Sequence, residues 1–332
     1  MRIIHINERS KVPKYKQIVS SVEAAIITGE LKKGDRLPSL NAIRMRHELS
    51  RDTVLVAFNE LKNRGIIRSV VGKGYYVNSE DIAVTHKVFV LFDELNSFKE
   101  DLYNAFLSGL SENVQVDVFF HHFNKKTFEK TIQDNIGEYN YYVIMPANLQ
   151  QTSASIKLLP EEKVYILDQV NDELAHYPAV FQNFKKDIFE GLEKLESHID
   201  KYNEIYLLFS SEKQPIGLKL GFQEFCLKHK KKHTILNEWK NLELKKNAVY
   251  IVLDDRSLLT VVKKINEQDL QLGKNIGVIC YNDSLLKEIV EGGITTISTD
   301  FHLMGKELAK MIQTKQKQRI ENISKVSIRN SI

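Results

Sequence analysis

The stretch from residue 31 to residue 77 constrains the fold of this chain more than any other. It begins LKKGDRLPSLNAIRMRHELS and continues RDTVLVAFNELKNRGIIRSVVGKGYYV. Two short helical segments with a tight turn between them precede two β-rich segments that meet at a Gly-Lys-Gly tip. This order predicts a winged helix-turn-helix, which places one helix in the DNA major groove and the strand tip along the minor groove or the backbone.

Local signals predict the limits of the helices in this region. Apolar residues at helical spacing predict three helices, and each is bounded by a residue that commonly starts or ends one. These residues are Gly29 after the first helix, Ser39 before the second (residues 40–46), and Ser50 and Gly65 around the third. The wing strands are predicted over 66–70 and 75–77.

The start of the third helix carries the groups that DNA contact requires. A helix N-terminus presents free N–H groups to a phosphate, hydroxyls add contacts, and Arg51 can reach two acceptors on a guanine edge. An exposed Arg taken alone is more often a solvated charge, but the order of helices around it favours DNA contact. The predicted DNA-binding residues are Ser39, Asn41, Arg44, Arg46, Ser50, Arg51, Thr53, Gly72 and Lys73.

Four motifs extend this interpretation: GDRLPS at 34–39, LSRDTV at 49–54, Leu61 with GII at 65–67, and GKGYYV at 72–77. With them, residues 11–79 resemble the GntR family of bacterial regulators. In that family the helix after Leu-Pro-Ser usually carries a DNA-binding Arg, whereas this chain has Asn41 there. An Asn can pair with adenine or a phosphate but lacks the guanidinium fork, so the resemblance implies DNA binding with one altered contact.

Charge is distributed unevenly along the chain. Residues 1–80 hold fifteen Lys or Arg against eight Asp or Glu, whereas all 332 residues hold 47 against 43. A basic segment joined to a mildly acidic larger one is typical of a protein that contacts phosphate with one end. Because the length suits two or three domains, we expect a DNA-binding domain over 1–79, a linker over 80–87 and an effector domain over 88–332.

From Val88 onward, apolar strands alternate with amphipathic helices. The predicted strands cover 88–92, 114–120, 141–145, 164–167, 205–209, 248–253 and 276–280. This alternation indicates parallel sheets covered by helices on both faces. Since about 245 residues exceed one sheet, the expected α/β fold has two lobes with a parallel sheet each, and a ligand binds where strand C-terminal ends face one another across a cleft.

Polar residues follow several of these strands. Carboxylates and amides at converging strand ends supply acceptors and donors for hydroxyl groups, and aromatic rings stack on sugar rings. An Asp after a strand is often only a helix N-cap, and a Trp is often only part of a core. The candidate ligand-binding residues are Asp93, Asn148, Asp168, Asp254 and Asn282, with the aromatic Phe98, Trp239 and Phe301.

Three motifs carry a second resemblance: AVYIVLDD at 248–255, IGVICYND at 276–283 and ITTISTDFHLMG at 294–305. With them, residues 88–332 resemble the effector domain of the LacI family, which has a periplasmic-binding-protein-like (type I) fold. The third motif resembles that family's crossover from one lobe to the other. The resemblance implies sugar contacts from Asp254, Asn282, Trp239 and Phe301.

One departure from this pattern concerns a basic residue. The family often has an effector-binding Arg three residues before a Gly-aromatic pair, and here the pair is Gly221-Phe222 with Leu218 at that position. Either the neighbouring Lys219 replaces the Arg in a shifted register, or the ligand lacks the group that an Arg would bind.

A GntR-type reader joined to a LacI-type sensor resembles the arabinose-regulator group, which includes fucose-responsive members. The resemblance implies a homodimer that binds double-stranded operator DNA as a repressor of a sugar-utilisation operon. A pentose or deoxyhexose bound between the lobes would alter operator binding. An activator, or a regulator that responds to a nucleoside or a phosphorylated sugar, is the alternative.

Other classes fit the sequence less well. Cys226 and Cys280 lie in apolar stretches, which favours free thiols in a reducing cytoplasm. Without a signal segment or an apolar run of about 18 residues, we expect a cytoplasmic protein with no membrane contact. The chain has no nucleophile elbow, phosphate loop or metal-spaced His pair, and its sensor is too short for the aminotransferase-like domain of some GntR-type chains. We therefore expect no enzyme, metal or cofactor.

Overall fold

The computed structural model describes residues 3–8, 10, 12–82, 86–237 and 243–332. Its helices are α1 (Lys14–Ile27), α2 (Leu40–His47), α3 (Arg51–Asn63), α4 (Ser97–Ser108), α5 (Lys125–Asp134), α6 (Ser153–Ile156), α7 (Phe184–Lys194), α8 (Glu196–Ile199), α9 (Ile216–Lys228), α10 (Asp255–Glu267), α11 (Leu285–Ile289) and α12 (Phe301–Thr314). Its strands are β1 (Ile67–Val70), β2 (Gly74–Val77), β3 (His86–Phe92), β4 (Val114–Phe120), β5 (Tyr141–Ile144), β6 (Val164–Asp168), β7 (Ala179–Phe181), β8 (Glu204–Leu208), β9 (His233–Leu236), β10 (Ala248–Val252), β11 (Ile276–Tyr281), β12 (Thr295–Thr299), β13 (Arg319–Glu321) and β14 (Ser324–Ser327).

The first domain is a winged helix-turn-helix. Helices α1, α2 and α3 enclose one apolar core, and β1 pairs with β2 in antiparallel register from Ile67 opposite Val77 to Val70 opposite Gly74. Side-chain caps start the second and third helices, as their sequence predicts, because Ser39 and Ser50 accept hydrogen bonds from backbone N–H groups. The helices and wing strands predicted for this region are confirmed to within one or two residues.

The rest of the chain forms two lobes, each built on a six-stranded sheet. The first-lobe sheet has the order β13-β7-β6-β5-β3-β4, and the second-lobe sheet has the order β14-β12-β11-β10-β8-β9. All neighbouring strands are parallel except β12 and β14. The expected pair of parallel sheets is confirmed. Apolar clusters cover both faces of both sheets.

The chain passes between the lobes three times, after β7, after β12 and after β13. The crossover predicted over 294–305 is confirmed, because β12 lies in the second sheet whereas α12 packs on α4 of the first lobe. Asn322 joins all three passages. Its backbone N–H donates to the carbonyl of Phe181 (2.7 Å), and its side chain donates to Thr299 Oγ1 (2.7 Å) and to the carbonyl of Asp300 (2.8 Å).

The DNA-binding domain contacts the first lobe at the C-terminal end of α3. Lys62 forms an ion pair of 2.8 Å with Glu138, which lies between α5 and β5. Arg64, directly after α3, donates to the carbonyl of Ile82 at 3.0 Å. The helix that begins at the predicted DNA surface therefore ends against the lobe. In the part of the chain that is described, no helix is long and apolar enough to cross a membrane.

Candidate DNA interface and ligand cleft

The three hydroxyl residues predicted to contact DNA lie at helix starts. Ser39 Oγ accepts from the N–H of Ala42 at 3.2 Å, and Ser50 Oγ accepts from the N–H of Thr53 at 3.1 Å. Ser50 and Thr53 also share a hydrogen bond of 2.8 Å between their hydroxyls. These contacts align the first turns of α2 and α3, whose remaining free N–H groups face solvent and are available to phosphates.

The charged residues of the predicted interface are exposed, and in the described structure no acidic side chain forms an ion pair with them. The side chains of Asn41, Arg44, Arg46 and Arg51 are exposed. Within the described ranges, no carboxylate lies at ion-pair distance from these three arginines. Free guanidinium groups on adjoining helices form a basic surface that can bind a DNA backbone and its base edges.

The turn between the two wing strands contains the predicted residues Gly72 and Lys73 and also Val71, which was not predicted to contact DNA. Gly72 and Lys73 are exposed at the tip, as the interface requires, and Gly72 has a left-handed backbone with φ 71°. Val71 beside them is 99% exposed, the extreme case among the apolar side chains described. An apolar residue held at a strand turn can enter the minor groove. The position of Val71 directly before Gly-Lys-Gly could have indicated its exposure from the sequence.

A cavity of about 530 Å³ lies between the two lobes. Its walls come from the ends of β3 and β6 in the first lobe and of β10 and β11 in the second. The starts of α4, α9 and α10 complete it. This is the position at which an open parallel sheet binds ligands, because the strand C-terminal ends and helix N-termini converge there. The expected cleft is thus present.

The first-lobe wall contains two buried carboxylates and one buried ammonium group. Lys99, only 3% exposed, forms an ion pair with Asp93 and lies 2.9 Å from the sulfur of Met145. Asp168 ends β6 with a left-handed backbone, φ 71°, and accepts a hydrogen bond from Gln182 Nε2. Burial raises the pKa of the Asp168 carboxyl above its ordinary value, while the charge of Lys99 opposes that shift.

The second-lobe wall combines a helix cap with a second buried Lys. Asp254 caps α10 by accepting from Ser257 N at 2.8 Å and from Ser257 Oγ at 2.7 Å. Lys287, 2% exposed, pairs with Asp255 at 2.9 Å and donates to the carbonyl of Asn282 at 2.8 Å. Asn282 follows β11 with φ 64°, and its buried Oδ1 has no hydrogen-bond partner among the residues that the structure describes.

The structure brings five of the predicted ligand-binding residues to the cavity wall. They are Asp93, Phe98, Asp168, Asp254 and Asn282. The strand-end pattern places the four polar ones, because both sheets are parallel and their carboxyl ends meet. Trp239 lies outside the described residues.

The other three predicted residues do not line the cavity. Leu218 faces it instead of Lys219, because successive residues of a helix point about 100° apart. Phe301 is packed in the first-lobe core and stacks on Phe98 with ring centroids 4.8 Å apart. Asn148 donates from Nδ2 to the carbonyl of Gln214 at 2.8 Å and joins the lobes at the rim.

The rim carries a further pair of contacts between the lobes. Lys213, in the loop between β8 and α9, forms an ion pair of 3.3 Å with Glu94 and lies 5.3 Å from the ring centroid of Phe123. With the bond from Asn148 to Gln214, these contacts join the β8–α9 loop to the first lobe. We call these contacts the rim latch.

Sequence reasoning missed several residues of the cavity wall. They are Lys99, Gln182, Lys213, Tyr281 and Lys287. Lys99 had a signal, since it lies on the apolar face of α4 with Leu102 and Phe106. Lys287 had none, because the short α11 around it exposes Leu285 and Ile289 and buries the Lys.

Two family models match the chain. Residues 14–77 match bacterial regulatory proteins of the gntR family, and residues 201–331 match a periplasmic binding protein-like domain. The solved trehalose repressor from Escherichia coli has the effector fold, with a TM-score of 0.61 at 13% identity over 73% of this chain and 99% of that one.

Three relatives align with different parts of the chain. The repressor YtrA of Bacillus subtilis is 30% identical over 31% of this chain and 81% of its own length. The arabinose metabolism transcriptional repressor of Geobacillus stearothermophilus is 21% identical over 96% of this chain and 95% of its own. The mannosyl-D-glycerate transport/metabolism system repressor MngR of Escherichia coli is 31% identical over 45% of this chain, which spans 61% of that relative.

A winged helix-turn-helix joined to a two-lobed, periplasmic-binding-protein-like domain defines a DNA-binding transcriptional regulator. The three relatives are repressors, so the expectation that the chain is not an enzyme is confirmed. The chain belongs to the gntR family of bacterial regulatory proteins.

Proposed function

We propose that this chain is a sugar-responsive transcriptional repressor that binds double-stranded operator DNA as a homodimer in the cytoplasm. One observation carries the proposal: a chain with an exposed basic helix-turn-helix also holds a cleft between two lobes, with oxygen acceptors on both walls. Two copies of α3 would read the two half-sites of a near-palindromic operator.

The proposed effector is a monosaccharide, a pentose or a deoxyhexose such as arabinose or fucose. The oxygens of Asp168, Asp254 and Asn282 suit hydroxyl donors, and the ring of Phe98 offers an apolar face at the cleft. The arabinose metabolism repressor aligns with 96% of the chain, which supports this class of ligand.

The proposed mechanism couples the two sites through the first lobe. A sugar that contacts both walls stabilises the closed arrangement of the lobes, which can rotate about the three crossovers at Asn322. The first lobe contacts the end of α3 through the pair of Lys62 and Glu138, so lobe movement reorients the DNA-reading helix. By linkage, the factor by which sugar weakens operator binding equals the factor by which operator weakens sugar binding.

The DNA assignment is tested with a duplex that the wild-type protein selects from random sequence. Arg51→Ala should weaken operator binding by roughly 10- to 100-fold and reduce its sequence discrimination, since a bidentate base contact contributes about 1–3 kcal/mol. Lys263→Ala is the matched control, because it also removes an exposed positive charge, but from α10 in the second lobe. Equal operator affinities for the two variants would refute the role of α3.

The effector assignment is tested by thermal shift with free monosaccharides, nucleosides and phosphorylated sugars. A bound ligand raises the unfolding temperature in proportion to the logarithm of its concentration over Kd. We expect a pentose or deoxyhexose to stabilise the protein and to release the selected operator in a gel-shift assay. If only nucleosides stabilised the protein, or if no sugar did, the proposed effector would be refuted.

A further inference from the structure

We propose that Val56 makes α3 a reader of thymine, because its side chain, with Leu55 beside it, offers an apolar surface to the 5-methyl group of that base in the major groove. The inference rests on the proposed function, since it names what the DNA-reading helix recognises. It assigns part of the sequence discrimination to an apolar contact, in addition to the guanidinium group of Arg51.

The exposed side of α3 changes in character from its first turn to its second. Arg51 and Asp52, in the first turn, are charged and exposed. Leu55 and Val56, in the second turn, are apolar, and each lies four residues after one of the charged residues. Because residues four apart lie one above the other on a helix, the apolar residues continue the surface that the charged ones begin. We call these four residues the α3 patch.

The core of the DNA-binding domain does not use the apolar half of the α3 patch. From α3, that core contains Val54, Ala57, Phe58 and Leu61. Val56 is 48% exposed, and Leu55 is half-buried but, among the described residues, is not part of the core cluster. A β-branched Val also lowers helix propensity slightly at an exposed position. The stability of the domain therefore does not account for two apolar residues here.

The first lobe does not cover the α3 patch either. The contacts that join the DNA-binding domain to the rest of the chain lie at the C-terminal end of α3, where Lys62 pairs with Glu138 and Arg64 donates to the carbonyl of Ile82. Lys62 lies six residues beyond Val56, which is about 9 Å along the helix axis. The patch is therefore open to a partner from outside the chain.

The charges around the α3 patch suit DNA as that partner. α3 packs against α2 and β1, so the exposed Arg44 and Arg46 of α2 and the exposed Lys73 of the wing flank it. Cations on both sides of a helix match the two phosphate backbones that border a major groove, and they leave the helix between them to the base edges. Phosphates would repel the carboxylate of Asp52, whereas the amino group of cytosine can donate to it. The patch thus suits bases better than the backbone.

Thymine is the base that an apolar side chain can recognise in the major groove. Guanine and adenine present N7 with a further polar group there, cytosine presents an amino group, and thymine presents a methyl group beside its O4 acceptor. A Val side chain neither donates nor accepts hydrogen bonds, so it would leave a polar base edge without a partner. Against the methyl group it removes apolar surface from water. We therefore expect a thymine in each half-site, near the base that Arg51 contacts.

The first experiment removes single methyl groups from an operator that the full-length wild-type protein selects from random sequence. Each thymine is replaced in turn by deoxyuridine, which keeps the base pair and the O4 acceptor and lacks the methyl group. Fluorescence anisotropy should show binding about 3- to 5-fold weaker for one such thymine in a half-site, as expected for one buried methyl group. Replacement at the same position of both half-sites should weaken binding about 10- to 25-fold, because the two contacts are independent.

The second experiment assigns the methyl contact to Val56. Val56→Ala should bind the thymine operator about 3- to 5-fold more weakly than wild type, and it should bind the thymine and uracil operators equally within about 1.5-fold. Val12→Ala is the matched control, because Val12 has the same side chain and the same 48% exposure but lies before α1. This control should retain the wild-type difference between thymine and uracil. Unfolding temperatures establish that both variants are folded.

The outcomes separate this inference from the proposed function. If the selected operator binds equally well whichever thymine loses its methyl group, thymine reading is refuted and the DNA-binding regulator stands. If methyl dependence persists unchanged in Val56→Ala, or disappears equally in Val12→Ala, the assignment to Val56 is refuted. If the wild-type protein selects no duplex from random sequence, the proposed function fails and the inference fails with it.

Discussion

Replacement of Arg329 by alanine tests the connection between the C-terminal segment and the second-lobe wall. The guanidinium group donates to both carboxylate oxygens of Asp283, at 2.9 and 2.8 Å, and to the carbonyl of Ile294 at 2.8 Å. The side chains of Arg329 and Asp283 are 17% and 25% exposed. Asp283 directly follows Asn282, so this bidentate pair also stabilises the turn that places Asn282 at the cavity wall.

The expected loss in the free energy of unfolding follows from the groups that Arg329→Ala leaves without partners. Arg329→Ala removes the two charge-assisted hydrogen bonds to Asp283 and the one to the carbonyl of Ile294, and it leaves a three-quarters buried carboxylate without its cation. Breaking a fully buried pair costs about 3–5 kcal/mol, and partial access of water reduces this to about 2–4 kcal/mol. For a domain of this size, the unfolding temperature should fall by roughly 5 to 12 °C.

The loss should depend on pH in a defined direction. Burial alone raises the pKa of the Asp283 carboxyl, but the hydrogen bonds and charge of Arg329, with hydrogen bonds from Thr296 and Ser284, outweigh burial and lower it. A lowered pKa stabilises the fold above the unfolded value of about 4, and this contribution is lost as pH falls through the folded pKa. The difference in the free energy of unfolding between wild type and variant should therefore be largest at pH 7 and decrease below about pH 4.

Calorimetry over this pH range measures the effect, with Lys325→Ala as the control. Lys325 lies on β14 and pairs with Asp300 at 2.7 Å, but its side chain is 65% exposed. An exposed pair contributes at most about 1 kcal/mol. Equal losses for the two variants, or a loss for Arg329→Ala that does not change with pH, would refute the reasoning.

Two further changes have defined outcomes. Gly221→Ala places a Cβ 2.1 Å from the backbone oxygen of Lys185, so α7 and α9 must separate, and chemical denaturation should show a loss of about 3 kcal/mol or more. Lys213→Ala removes the part of the rim latch that contacts Glu94 and Phe123. Ligand release should then be about 3- to 10-fold faster in stopped-flow experiments. An unchanged release rate would mean that the rim latch does not hold the lobes together around the ligand.

The DNA-binding domain could be predicted from its sequence because its signals are local. Ser39 and Ser50 cap the helices that follow them, and Gly65 turns the chain with φ 70° after α3. Each signal acts within a few residues, so no knowledge of distant contacts is needed. The sequence therefore located the predicted interface residues along α2, at the start of α3 and on the wing.

The sequence could predict only those residues of the cleft whose positions follow from the strand topology alone. Parallel strands place Asp93, Asp168 and Asn282 at one edge of their sheets, whatever packs around them. Phe301 shows a signal that should have been weighed differently, since it lies on the apolar face of α12 with Met304 and Leu308. That spacing is typical of a core residue, and the structure buries it.

Other features depend on partners far away in the chain and have no local signal. Strands β13 and β14 are short, polar and partly exposed, and they exist because β7 and β12 offer free edges to pair with. The burial of Lys287 depends on Asp255, which lies on another helix. Such contacts arise from the assembled fold, and a pattern of neighbouring residues cannot indicate them.

The last two strands have a consequence for the synthesis of the protein. β13 completes the sheet of the first lobe and β14 completes the sheet of the second, although they are separated by only Asn322 and Ile323. Domains usually fold as units while the chain emerges from the ribosome. Here neither lobe can complete its sheet until these late strands have left the ribosome, so a chain that stops before β13 holds a DNA reader without a finished sensor and should be a substrate for cellular proteases.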